Sequence, residues 1–459
     1  MPRLLTLAGC GLLALATWLL APGTGQVNTG LALFVFIGAL WISQVLHLSL
    51  TALLVPLLAV LAGVLSVRDA LAAFAQPVIF LFLGGFALAA ALTRHGLDRA
   101  LAQAMLQLTH GRLPLAVAGL FGLTAFLSLW LSNTATTAMM LPLALGLLPG
   151  PASDAGDGER WNPALQRTRA FVLLGLAYSA SIGGMGTIVG SPPNAIAAAQ
   201  AGISFAQWMV IGLPLVMLLL PLMVAVLYLL LRPQLSTSAR ALAATADALP
   251  VPATFVWTRE RLLTLGIFAL TVAGWVGGAP LGRWLGVTQD TDTLVALGAL
   301  ALLGASGVLE WRDIERQTQW GVLLLFGGGL ALSQVMATTG ASHFLAQGLM
   351  ATVAGAPTWL VVLALVTFVV MLTELVSNTA SAALIVPIVI GLAPAWGISG
   401  ASVASAVALS ASCAFMLPVA TPPNAIVFGS GLVPQRTMMR CGLALNAVAT
   451  VVITLAVSL

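Results

Sequence analysis

Ser128-Leu129-Trp130-Leu131-Ser132-Asn133-Thr134-Ala135, in the first half of the chain, returns in the second half as Thr373-Glu374-Leu375-Val376-Ser377-Asn378-Thr379-Ala380. In each copy a hydroxyl residue stands four positions before Ser-Asn-Thr, and a proline (Pro142 or Pro387) follows. Each copy also has a partner downstream: Gly190-Ser191-Pro192-Pro193-Asn194 in one half, Ala420-Thr421-Pro422-Pro423-Asn424 in the other. These four patches are polar and helix-breaking, yet the sequence around them is apolar.

That surrounding sequence sets the class. Of 459 residues, 60% are hydrophobic and 7% charged, with a mean hydropathy of +1.07. A soluble domain of this size does not have such a composition, so an all-α polytopic membrane protein is expected. All 17 basic residues are arginine, scattered singly or in pairs. They read as an orientation signal, and no nucleic-acid partner is expected. Cys10, Cys413 and Cys441 lie in apolar stretches without metal-ligand spacing and read as small hydrophobes, not as a disulfide framework. Residues 1–29 resemble a signal peptide in outline but read as an uncleaved first span, given the many spans that follow.

Windows of about twenty apolar residues predict eleven transmembrane helices, at 4–21, 30–47, 49–66, 77–92, 171–190, 208–231, 262–280, 293–309, 320–338, 401–419 and 441–458. Stretches 113–149 and 357–395 are each about two short helices long with Ser-Asn-Thr near the middle, which predicts re-entrant helical hairpins whose irregular backbone is buried in protein. With 113–149 entering from the cytoplasm and 357–395 from the other side, fifteen arginines fall inside and only Arg68 and Arg283 outside. This places the N-terminus in the cytoplasm and the C-terminus outside. The run from Arg94 to His110 is expected along the inner surface.

The halves are repeats. Gly84-Gly85, Gly96 and Gln103 match Gly328-Gly329, Gly340 and Gln347 at a constant offset of 244 residues. Five crossings per half insert the second copy upside down, as in secondary transporters. The organisation read from this is a first repeat over 30–233, a cytoplasmic linker over 234–258 and a second, inverted repeat over 259–459. Each repeat carries one hairpin and one helix unwound near 190–194 or 420–424.

The patches suggest their own chemistry. Ser, Asn and Thr cap helix N-termini, so the first N–H groups of each hairpin's second half-helix point into the protein without internal partners. With the helix dipole they suit an anion bearing oxygens. The free carbonyls before each turn, the hydroxyls of Ser128 and Thr373 and the amides of Asn133 and Asn378 form hard-oxygen sites for a small monovalent cation. Pro192 and Pro193 free carbonyls around Gly186 to Gly190, while Ser191 caps the new half-helix; Thr421 and Pro422 do the same in the other half. Glu374 is the one carboxylate in a predicted apolar segment, and Leu129 takes its place in the first copy. It reads as a buried polar anchor for the hairpin, the other reading being a proton or cation site. No nucleophile–base pair or metal cluster accompanies it, so an enzyme is not expected.

At these residues the sequence resembles the divalent anion:Na⁺ symporter (DASS) family, the INDY-type di- and tricarboxylate transporters. Ser-Asn-Thr in both hairpins, Ser/Thr-Pro-Pro-Asn in both unwound helices and Trp130 before the first motif carry the resemblance, which runs from about residue 30 to the end. It implies a homodimer in the inner membrane, with a scaffold domain and a transport domain that moves like an elevator. It implies that Ser132, Asn133 and Thr134 with Ser377, Asn378 and Thr379 hold the substrate carboxylates, with Ser191 and Thr421 beside them. One Na⁺ would sit on Ser128, Ser132, Asn133 and the Gly190 carbonyl, and another on Thr373, Asn378 and the Ala420 carbonyl beside Pro422. The function implied is import of succinate, malate or fumarate with two or more Na⁺ per cycle. A Na⁺-independent dicarboxylate exchanger and a transporter of sulfate or arsenite remain open, although linker 234–258 is too short for the soluble insert of sulfate-carrying relatives.

Overall fold

The apolar runs form helices, and glycine, proline and the repeated polar patches decide where those helices stop. A computed structural model describes residues 2–109, 112–148, 163–235, 256–287, 289–353 and 357–458. Most of the expected linker 234–258 and part of the loop before residue 163 lie outside the described residues. In chain order the first half contains α1 (Pro2–Leu20), α2 (Gly25–Ser43), α3 (Leu48–Leu61), α4 (Val67–Ala72), α5 (Pro77–Arg94) and α6 (Leu97–Leu108). It continues with α7 (Leu113–Ser128), α8 (Asn133–Leu147), α9 (Pro163–Gly184), α10 (Pro192–Ala201) and α11 (Phe205–Leu231). The second half contains α12 (Arg259–Val276), α13 (Gly278–Leu285), α14 (Thr291–Ala305), α15 (Trp311–Gln317), α16 (Trp320–Thr338) and α17 (Ala341–Val353). It ends with α18 (Thr358–Thr373), α19 (Asn378–Leu392), α20 (Gly400–Ala411), α21 (Pro422–Gly429) and α22 (Gln435–Ser458).

Both hairpins are present as helix pairs, α7–α8 and α18–α19, broken at 129–132 and 374–377. Among the described residues seven helices are long and apolar enough to cross a bilayer alone, or eight if α12 and α13, bent by 87°, are taken as one. Several expected spans are shorter than their apolar runs. The helix expected over 171–190 ends at Gly184 and the one over 401–419 at Ala411, because the chain unwinds through 185–191 and 412–421 before restarting at the Pro-Pro pairs. The breaks therefore begin earlier than the expected 190–194 and 420–424. A proline removes hydrogen bonds from the turn before it, so the unwinding spreads backwards from each pair.

The repeat is visible in the packing. A Cβ placed on Gly84 of α5 would lie 2.7 Å from Ala296 Cβ of α14; one on Gly328 of α16 would lie 2.6 Å from Ala52 Cβ of α3. Both partners keep the 244-residue offset, so the same close helix crossing is built twice from small residues. A second register, offset by 230, joins the broken helices to their neighbours. Gly212 of α11 abuts the backbone of Met185 and Gly186, and Gly442 of α22 abuts that of Phe415 and Met416.

Loops expected on one side of the bilayer meet in the structure. Arg3 donates to the Val45 carbonyl (3.0 Å), Arg94 pairs with Glu310 and Asp313, and Arg261 donates to the His95 carbonyl (3.0 Å). On the opposite side Thr293 donates to the Pro77 carbonyl (3.0 Å). The periphery is rich in large apolar side chains, Leu20, Val210 and Leu229 among them, which suits a lipid surround. The centre belongs to α9, buried almost continuously from Ala170 to Gly184, and to α20, buried from Val403 to Ala411.

Candidate functional site

Four helices begin at the repeated polar patches: α8 at Asn133, α10 at Pro192, α19 at Asn378 and α21 at Pro422. The halves interlock there. The second helix of each hairpin packs on the far half of the other repeat's broken helix, α8 on α21 and α19 on α10. Ser191 Oγ, from the first broken helix, lies 3.4 Å from Ser412 Oγ of the second.

At the first hairpin tip, Ser128 Oγ lies 2.7 Å from Asn133 Oδ1 and 2.7 Å from the Ala180 carbonyl of α9. At the second, Thr373 Oγ1 lies 2.7 Å from Asn378 Oδ1 and 2.8 Å from the Ala411 carbonyl of α20. A hydroxyl has one proton to donate, yet faces two acceptors at each site. At each site one acceptor is therefore left without the hydroxyl proton, and oxygens so placed suit a small cation. More oxygens approach the first cluster. A Cβ on Gly184 would lie 2.4 Å from Asn133 Oδ1 and 3.0 Å from the Gly190 carbonyl oxygen. A Cβ on Gly190 would lie 2.7 Å from the Gly184 oxygen and 2.9 Å from that of Ser128. Only glycine permits this approach.

Of the residues expected to hold cations, Ser128, Asn133 and Gly190 are therefore together, as are Thr373 and Asn378. Ser132 Oγ is turned instead to capping α8, accepting from Ala135 N at 3.2 Å. Ala420 is partly buried and Pro422 exposed, at the end of the unwound segment and in the first turn of α21. Among the residues expected to meet the anion, Thr134 is exposed; Ser132, Asn133, Ser377 and Asn378 are half-buried; Thr379 is buried. Thr421 caps α21 as expected, accepting from Asn424 N at 3.3 Å. Ser191 does not cap α10 with its side chain. Asn194 N donates to the Ser191 backbone carbonyl (3.1 Å), leaving the Ser191 hydroxyl to meet Ser412. Ser377 likewise makes no side-chain cap.

The unwound segments are held by residues whose part was not foreseen. Asn194 Nδ2 donates to the carbonyls of Gly184 (2.9 Å) and Thr187 (2.7 Å), and Asn424 Nδ2 to those of Ala414 and Leu417 (3.0 Å each). Each asparagine thereby closes the carbonyl groups that the broken helix leaves open. Their signal was the repetition of Pro-Pro-Asn itself. Ala180 and Ala411 had no signal, since they act through backbone oxygen. Glu374 is buried and accepts from the backbone N–H groups of Phe415, Met416 and Leu417 and from Asn446 Nδ2, tying the second hairpin to the unwound segment.

The two tips differ in cover. Trp130 joins a cluster in which Phe205 and Trp275 stack at 4.5 Å, and Phe268 meets Trp130 edge-on at 5.2 Å. Asp292 accepts from Phe205 N at 2.7 Å and locks this roof to α14. At the second tip Leu375 is 74% exposed, and in the unwound segment Val419 is 85% exposed. A cavity of about 350 Å³, lined by Thr93, Asp98, Arg99, Gln103, Leu131 and Ala135, reaches the flank of the first tip.

The sequence model of a citrate transporter family (CitMHS) matches residues 38–410. An uncharacterized transporter of Haemophilus influenzae is 46% identical over 439 residues, spanning 94% of this chain and 91% of that protein. The sodium-dependent dicarboxylate transporter SdcS of Staphylococcus saprophyticus is 31% identical over 454 residues, spanning 93% of this chain and 85% of that protein. Among solved structures, the YdaH transporter of Alcanivorax borkumensis shares the fold, with a TM-score of 0.54 at 15% identity over 85% of each chain.

Proposed function

The chain belongs to the citrate transporter family (CitMHS) and is a transporter, not an enzyme; from that premise we propose that it imports C4-dicarboxylates such as succinate, malate and fumarate together with Na⁺. The observation that carries this reading is the doubled oxygen cluster. At each hairpin tip one hydroxyl proton serves two acceptors, directly before the N-terminus of a half-helix. A Na⁺ at Ser128–Asn133–Gly190 and another at Thr373–Asn378, with Ala420 and Pro422 beside it, would fix the tips. The N–H groups of α8 and α19 and the side chains of the two Ser-Asn-Thr motifs then face one dianion, with Ser191 and Thr421 nearby. No arginine takes part among the described site residues, so the anion's charge is balanced by the co-bound cations and helix dipoles.

Coupling follows from that arrangement. The dianion binds well only to tips ordered by Na⁺, so each raises the affinity of the other by the same factor. The SdcS relatives' sodium dependence and dicarboxylate substrate support this reading. We place the protein in the inner membrane as a homodimer with the N-terminus inside, its transport domain moving against a scaffold built around α3, α5, α14 and α16. The two matched crossings of small residues, α5 on α14 and α16 on α3, suit a rigid scaffold.

The test is succinate uptake into proteoliposomes with an inward Na⁺ gradient, with equal Na⁺ on both sides, and with choline in its place. Uptake should require Na⁺ and accumulate succinate only under the gradient. Uptake that ignores Na⁺ but follows internal dicarboxylate would mark an exchanger; preference for sulfate or arsenite in competition would replace the substrate class.

A further inference from the structure

The two cation sites repeat one another in outline, and one pair of positions differs in charge and polarity. Leu129 and Val216 in the first repeat correspond to Glu374 and Asn446 in the second, at the offsets of 245 and 230 that relate the hairpins and the broken helices with their neighbours. In the first repeat these positions are apolar, and Leu129 Cδ2 packs where a Gly186 Cβ would be, 2.4 Å from it. There Met185 N and Gly186 N donate to Ile182 and Gly183 carbonyls at 3.1 and 3.0 Å, continuing the turn of α9. In the second repeat the matching N–H groups, of Phe415 and Met416, donate instead to Glu374 Oε1 at 2.8 Å each. Leu417 N donates to Oε2 at 3.0 Å and Asn446 Nδ2 to Oε1 at 2.7 Å.

Every partner of this carboxylate is therefore a donor, which suits an acceptor-only, negatively charged group. Three successive backbone N–H groups turned to one anion form a nest, and Ala420 N donates to the carbonyl of Leu417, the last residue of that nest, at 3.2 Å. The charge sits on the residue directly after Thr373, at membrane depth, where an unbalanced charge is costly. At the first tip Leu129 holds the same place, and the carboxylates on its flank and in its roof, Asp98 and Asp292, accept from the Arg99 and Phe205 N–H groups instead.

Resting on the Na⁺-coupled reading above, we infer that Glu374 makes the two cation sites unequal, so that the second site loads before the dianion arrives and the first loads together with it. A cation at Thr373 and Asn378 neutralises a charge the protein already carries. A cation at Ser128 and Asn133 has a leucine, not a carboxylate, on the adjoining residue, so it waits for the substrate to supply the charge. Glu374 acts as a positioning residue and countercharge. It does not touch the substrate.

The experiment follows Na⁺-dependent melting of the purified full-length protein in detergent, with NaCl replaced by choline chloride at constant ionic strength, with and without succinate. Without succinate, Glu374→Gln and Thr373→Ala should each raise the Na⁺ midpoint tenfold or more. Ser128→Ala should leave that substrate-free midpoint near the wild-type value and raise only the one measured with succinate. If Glu374 were merely structural, Glu374→Gln would melt lower at every Na⁺ concentration with an unmoved midpoint, which overturns the inference. Equal substrate-free shifts in Ser128→Ala and Thr373→Ala overturn it too, while leaving the cation reading intact. Should Glu374→Gln fail to fold, the Thr373→Ala and Ser128→Ala pair decides alone. A wild-type protein indifferent to Na⁺ would remove the cation reading and this inference together.

Discussion

Gly190→Ala offers a sharp perturbation of the first cation cluster, because the added methyl would stand among the oxygens proposed to hold the ion. Its carbon would lie 2.7 Å from the Gly184 oxygen, 2.9 Å from the Ser128 oxygen and 3.1 Å from Gly184 Cα. All three are backbone atoms, so no side chain can swing aside. Relief needs a backbone shift of several tenths of an ångström, and overpacking of this kind costs about 1–3 kcal/mol. If the shift opens the cluster, the whole cost falls on cation binding. At about 1.4 kcal/mol per tenfold change, the Na⁺ half-saturation for succinate uptake rises between about five- and 150-fold. The position matters more than the substitution, for two reasons. The repeat-related residue is Ala420, so a methyl is native to the second site. Gly266, in the middle of α12, has open space where its Cβ would stand, and Gly266→Ala serves as the neutral control. The assay is proteoliposome uptake against Na⁺ concentration, after size exclusion shows that both variants are monodisperse. An unchanged Na⁺ half-saturation in Gly190→Ala would refute the placement of the first cation.

Other variants probe the framework. Asn194→Ala removes two hydrogen bonds at 2.9 and 2.7 Å and leaves two buried carbonyls open; a loss of about 2–4 kcal/mol is expected, read as a lowered melting temperature, with Asn424→Ala falling by a similar amount. Gly84→Ala and Gly328→Ala would each drive a methyl into the backbone of a facing helix, so both should destabilise by about 1–3 kcal/mol and in parallel; a large loss in one and none in the other would break the claim of matched crossings. Trp275→Ala empties the centre of the roof over the first tip and should cost about 3–5 kcal/mol in thermal unfolding. Arg99→Ala, in the cavity beside the first tip, should slow uptake a few-fold at low ionic strength and little at high salt, as expected for electrostatic steering.

Much of this was legible in the sequence because the defining features are polar residues in apolar surroundings. The turns at 129–132 and 374–377 could be read from Ser-Asn-Thr, and the repeat from its constant offset. The lengths of the unwound segments were harder to read. Proline marks where a helix restarts, but where it stops depends on which groups take the freed carbonyls, and Asn194 and Asn424 reach back ten residues to do so. Ser191 and Thr421 look equivalent in sequence, yet only Thr421 caps with its side chain, since a hydroxyl partner on the other repeat draws Ser191 away. Ala180 and Ala411 could not be found at all, because a backbone oxygen leaves no trace in residue type. Glu374 was visible as an oddity, and its three N–H partners required the fold.

The crossing-over of the repeats, α8 resting on α21 and α19 on α10, reaches into the protein's ancestry. Each hairpin's second helix rests on the other half's broken helix and Ser191 meets Ser412 across the halves, so one half standing alone would lack these contacts unless a second copy supplied them. Carrying both copies on one chain leaves each free to differ from the other, as the leucine–valine pair of one half and the glutamate and asparagine of the other do.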